Sequence, residues 1–211
     1  MLTEVGKKKR GPRALVEFFY NKVDVFIALG VVFLVILLNI IFYIIVKIPK
    51  MGLQILADIY SSVFVSWFIL GLLIFLTMYF IRSSTKLPKR PLEKVLSALA
   101  SFRIPVIIYG LFSFMIVLLF FPNLITLMQS VFLNPAIIAS ETFLPTLTTI
   151  NYIGLGLLLL FTIVFFIYII CMMFAFVETV YDVKNFFGKL GLVILLLILI
   201  SFVSWVFGLA L

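Results

Sequence analysis

The run YIGLGLLLLFTIVFFIYIICMMFAFV, from Tyr152 to Val177, decides what kind of fold this chain can adopt. It carries no charge, and it exceeds the roughly 20 apolar residues that cross a hydrocarbon core of about 30 Å. Lipid offers no water to satisfy backbone N–H and C=O groups, so a run of this kind is read as a membrane-spanning helix. Four more runs of similar length lie around it, at about 25–46, 60–81, 104–128 and 190–209. Together they predict an all-α fold, a polytopic bundle of about five transmembrane helices occupying residues 23–211. Pro105 sits near the start of the third run, where its missing N–H costs nothing. Pro122 lies inside that run and should kink or end it.

Composition agrees. The chain is 65% hydrophobic and 11% charged, against roughly 45 to 50% and about 25% in soluble domains. A water-soluble fold would lack the polar side chains to cover itself, whereas a bilayer accepts an apolar exterior. The net charge of +8 would suggest nucleic acid in a soluble protein. Here the cations fall in short segments between apolar runs, where they set topology and attract anionic headgroups, so no nucleic-acid partner is expected.

Orientation follows from where the cations lie. Residues 1–22 form a basic arm with Lys7, Lys8, Lys9, Arg10, Arg13 and Lys22, broken at Gly11-Pro12. The segment 82–103 holds six more cations, and Lys184 and Lys189 precede the last run. The alternate side has Lys47 and Lys50 alone, a bias of fourteen against two. The positive-inside rule then places the N-terminus in the cytoplasm and the C-terminus outside. The first apolar run is too long for a signal-peptide core and lacks a small-residue cleavage site.

Two connecting segments have their own character. In 84–102, Leu92, Val95, Leu96, Leu99 and Phe102 recur at helical spacing. Lys86, Lys89, Arg90 and Lys94 cluster toward the start of that segment, which predicts a short cytoplasmic interfacial helix with its apolar side in the membrane and these four cations on anionic lipid. The far-side loop 129–151 is apolar, with Glu141 its single charge, and is a candidate re-entrant segment.

The chain offers little for catalysis. It has no histidine, which removes the commonest general base and metal ligand together. Neither a G-x-S-x-G nor a P-loop is present. Tyr181-Asp182 resembles half of an intramembrane aspartyl protease pair, but Asp58 falls at the opposite membrane surface and cannot complete a dyad. No acid lies mid-span, which argues against proton coupling. The chain is therefore expected to be non-enzymatic, without cofactor or metal. Cys171, the single cysteine, reads as a small hydrophobe.

Asn39, Thr77, Ser113, Thr162, Ser201 and Ser204 are expected to bond between helices, each for about 0.6 kcal/mol. Gly154, Gly156, Gly188 and Gly191 read as points of close helix approach. Glu178, Asp182 and Lys184, in the turn before the last run, are candidates for docking a cytoplasmic protein partner.

The order of features resembles the Yip (Ypt-interacting protein) family of small five-span membrane proteins over residues 62–209. The resemblance rests on Trp67, Ser101-Phe102-Arg103-Ile104-Pro105, Tyr109-Gly110, Pro122 and the tail from Phe176 to Lys184. It implies a five-helix bundle with a cytosolic N-terminus and a far-side C-terminus. Eukaryotic members are linked to vesicle traffic and Rab-type GTPases. This chain has a short basic arm in place of their long N-terminal region and no Asp-Leu-Tyr-Gly-Pro-like segment, so the resemblance gives no ground for a GTPase partner. High Ile, Phe and Lys without His suit a prokaryotic cell membrane.

The leading expectation is a Yip-like organiser of membrane lipids or protein partners at the cytoplasmic face, with a homo-oligomer compatible with it. The alternative is a small transporter or channel component with a polar cavity lined by Asn39, Thr77, Ser113 or Thr162. A membrane-embedded lipid-modifying enzyme would need converging acids or a metal site that the sequence does not supply.

Overall fold

The computed structural model describes residues 11–46, 53–82, 86–121 and 148–207. Pro122, the loop 129–147, the cations Lys7 to Arg10, Lys47 and Lys50, and the side chains of Asn39, Asp58 and Ser204 lie outside the described residues. Seven helices are seen among them: α1 (Pro12–Lys22), α2 (Val25–Val46), α3 (Leu53–Arg82), α4 (Pro91–Ala100), α5 (Arg103–Phe120), α6 (Thr149–Tyr181) and α7 (Phe186–Phe207). No strand occurs among the described residues. Among the described residues, four stretches are long and apolar enough to cross a membrane: Val63–Arg82, Pro91–Phe120, Thr149–Tyr181 and Phe186–Val203.

Local chemistry sets the helix ends. Proline opens α1 and α4, where its fixed φ favours the first turn. Gly11, at φ 76, turns the chain into α1 in a conformation that suits glycine. Thr148 and Asn151 form a capping box at the start of α6. Helix α5 ends at Phe120, with Phe121 at φ −135 and ψ 54. Phe121 precedes Pro122 in sequence, and a residue before proline is driven out of the α region.

Arg90 departs from such rules. It caps α4 in the left-handed region, at φ 52, where a side chain with a Cβ is strained. Its ion pair with Glu93, at 3.5 Å, is exposed and contributes a few tenths of a kcal/mol at most. Arg90→Gly is therefore expected to stabilise the protein by about 1 kcal/mol, read as a higher denaturant midpoint in mixed micelles.

The core is one-ended. Along α6, Leu159, Leu160, Phe166, Ile167 and Ile170 are exposed, whereas Met172, Met173, Phe176, Val177, Val180 and Tyr181 are buried. Around the buried half pack α1, through Val16, Phe19 and Tyr20, and α4, through Val95, Leu96 and Leu99. Trp67 of α3 donates its indole N–H to the Leu96 carbonyl at 3.2 Å. The exposed half suits lipid, where apolar surface has no reason to hide. The buried half is what water enforces.

One expectation changes here. The 84–102 segment does contain a helix, but its apolar side is not free for lipid: α4 packs against α1, α2 and α3. Periodicity reports that a face is buried and is silent on what buries it. Past the Gly11-Pro12 break the arm is helical, and α1 belongs to the same core as α4 and α6.

Candidate functional site

The buried end carries a polar cleft of about 300 Å³ between α1 and the end of α6. Arg13, Glu17, Tyr20 and Asn21 form one wall, and Glu178, Thr179, Asp182 and Lys184 the other. The three residues expected to dock a partner thus share one cleft.

Glu178 is the hub of its charges. It accepts from Lys189 Nζ at 2.6 Å and pairs with Arg13 Nη2 at 2.6 Å, while Arg13 Nε reaches Glu17 at 2.8 Å. The Arg13 guanidinium is held even more firmly charged than usual, first by its hydrogen bond to Glu17. Burial pushes the Tyr20 phenol up, against the pull of the nearby Arg82. Glu178 lies near the C-terminus of α6, where a carboxylate meets an unfavourable dipole, and two cations offset that cost.

Cations also cap helices across the bundle. Arg82 Nη1 donates to the Val180 carbonyl at 2.9 Å, at the end of α6, and its Nη2 lies 4.0 Å from Asp182. Lys94 Nζ donates to the Asn21 carbonyl at 3.1 Å, near the end of α1. Such contacts satisfy carbonyls that a helix leaves open. Of the four cations expected on lipid, Lys94 is engaged in this way, whereas Lys86, Lys89 and Arg90 are exposed.

Asp182 and Lys184 are the open groups of the cleft. Asp182 is 64% exposed and stands in the left-handed region at φ 58, where Asp is tolerated better than most residues. Lys184 is exposed two residues on.

Deeper in the bundle, Thr77 Oγ1 donates to the Ile74 carbonyl and shares a hydrogen bond with Tyr181 at 2.7 Å. Thr162 does the same with Leu158 and with Tyr109, at 2.9 Å. Ser113 Oγ is buried without a hydrogen-bond partner among the described residues. None of these three lines the polar cleft. Among the glycines, Gly154 abuts Phe120 and Phe121, and Gly188 abuts Val183 and Asn185, whereas Gly156 and Gly191 face open space. Gly71, against Leu96 and Leu99, is the close approach that sequence reading missed. Cys171 is exposed.

Arg13, Glu17 and Tyr20 were the missed half of the cleft. A signal for them existed: Val16, Phe19, Tyr20 and Val23 recur as one apolar helical stripe, with Arg13 and Glu17 four residues apart beside it.

No family model, curated protein or solved structure matches this chain.

Proposed function

We propose that this chain is a Yip-like, non-enzymatic protein of five membrane spans, N-in and C-out, that organises lipids and a soluble protein partner at its cytoplasmic face. The supporting observation is the division of charges at the buried end. Arg13, Glu17, Glu178, Lys189 and Lys94 are spent on internal contacts, whereas Asp182 and Lys184 on one side and Lys86, Lys89 and Arg90 on another are exposed, Asp182 and Arg90 keeping only the long ion pairs to Arg82 and Glu93. The first group suits a partner of mixed charge. The second suits anionic headgroups, where each cation near the surface contributes about 1 kcal/mol.

Two measurements test this. In a Cys171→Ala background, Lys184→Cys should react with a membrane-impermeant thiol reagent in inside-out vesicles and stay silent in intact cells; the reverse pattern would sink the topology. A photo-crosslinking amino acid at Lys184 should give one discrete adduct in the source cells, lost on Asp182→Lys. An adduct indifferent to Asp182, or none, would sink the docking role.

A further inference from the structure

Helix α1 separates two different concavities. At 3.6 residues per turn, Leu15 lies about 200° around the helix from Arg13. The Arg13 flank faces the polar cleft, and Leu15 lines an apolar groove of about 270 Å³ between α5 and α6. Its α5 wall includes Ile104, Ile108 and Tyr109, and its α6 wall Val164, Phe165 and Tyr168. Tyr109 and Phe165 stack at 4.4 Å between centroids, which gives the groove a rigid floor.

Its level in the bundle indicates what fills it. The large exposed apolar residues of α6 stop at Ile170 and the buried ones begin at Met172. The groove ends just short of that change, at Tyr168. On the reading above, which this inference rests on, the change marks the cytoplasmic membrane interface. Cations gather at the same end. Arg103 opens α5 one residue before Ile104; it is half-buried and has no ion pair with any described residue. Lys22 is exposed on the Leu15 flank of α1.

We infer that the groove holds one acyl chain of an anionic phospholipid, whose headgroup phosphate is met by Arg103 and Lys22. The α6 wall from Phe161 to Tyr168 is about 10 Å long, enough for the upper part of a chain. An arginine at this depth keeps its stem among apolar groups while its head reaches the phosphate.

The test uses the purified full-length protein in phosphatidylcholine nanodiscs, with phosphatidylglycerol or phosphatidylcholine spin-labelled high on one acyl chain. Electron paramagnetic resonance should show one slowly exchanging lipid per protein, with phosphatidylglycerol preferred. Ile108→Trp or Val164→Trp, filling the groove from either wall, should remove that lipid whatever its headgroup. Leu159→Trp, exposed on α6 outside the groove, should keep it. Arg103→Gln should retain the lipid and lower the preference for phosphatidylglycerol about tenfold, the size of one charge-assisted hydrogen bond. A slow component that survives both groove-filling variants overturns the site, as does its absence from the parent. If those variants instead lower the dimer fraction and leave bound lipid unchanged, the groove seats a second copy. Failure of the topology itself registers separately, in the thiol-labelling experiment.

Discussion

Phe176→Ala is expected to cost about 3–5 kcal/mol, the usual range for a fully buried aromatic. Phe166→Ala, ten residues earlier on the same helix, should cost almost nothing. Phe176 is 0% exposed and meets Phe102 edge to face at 5.6 Å between centroids, whereas Phe166 is 59% exposed. The contrast comes from the solvent outside each residue. Around Phe176 the layer of α1, α4 and the end of α6 excludes water, so truncation loses both transfer free energy and packing. Around Phe166, in the proposed topology, lipid replaces whatever the ring gives up. Reversible unfolding in mixed micelles, with the two variants side by side, measures the difference. Equal costs would mean that the buried end is no more a water-enforced core than the rest of the bundle.

That division between a lipid-exposed half and a water-enforced half explains what sequence could and could not reveal. Apolar run length locates helices because it answers to the bilayer's thickness: the runs around 60–81 and 152–177 fall within α3 and α6, and the run from 190 lies in α7 as far as Phe207, where the described residues end. Partner choice has no such one-dimensional signature. Leu92, Val95, Leu96 and Leu99 announced an amphipathic helix, yet nothing in their spacing separates a lipid surface from the faces of α1, α2 and α3. The density of Lys and Arg before residue 22 concealed the Val16, Phe19, Tyr20 stripe, and with it half of the polar cleft. Glu178, Asp182 and Lys184 were legible as a cluster because they are close in sequence. Their companions on α1 are more than 150 residues away and meet them only through packing.

Gly154→Val tests the other end of the α5–α6 pair. Any Cβ at Gly154 would stand 2.5 Å from Phe120 Cβ and 2.7 Å from Phe121 Cε2. The first of these is anchored to the backbone and cannot swing aside, so the helices themselves must part. Overpacking of this kind costs about 1–3 kcal/mol, and removing a helical glycine returns up to about 1. A branched side chain puts the net near the upper part of the range, at about 2 kcal/mol of destabilisation. Parting the helices also strains the contact that locks this end, in which Asn151 Nδ2 donates to the Phe120 carbonyl at 2.5 Å. Asn151 serves the α6 capping box as well, through Thr148. Phe102 with Phe176 still holds the opposite end, whereas Tyr109 with Thr162, at the end of the groove nearer Gly154, is stretched as the helices part. Gly154→Val should therefore widen the groove between them without unfolding the buried layer. The expected result is a lower denaturant midpoint together with faster exchange of the spin-labelled lipid. Unchanged exchange at a lowered midpoint would show that α5 and α6 do not move as one pair.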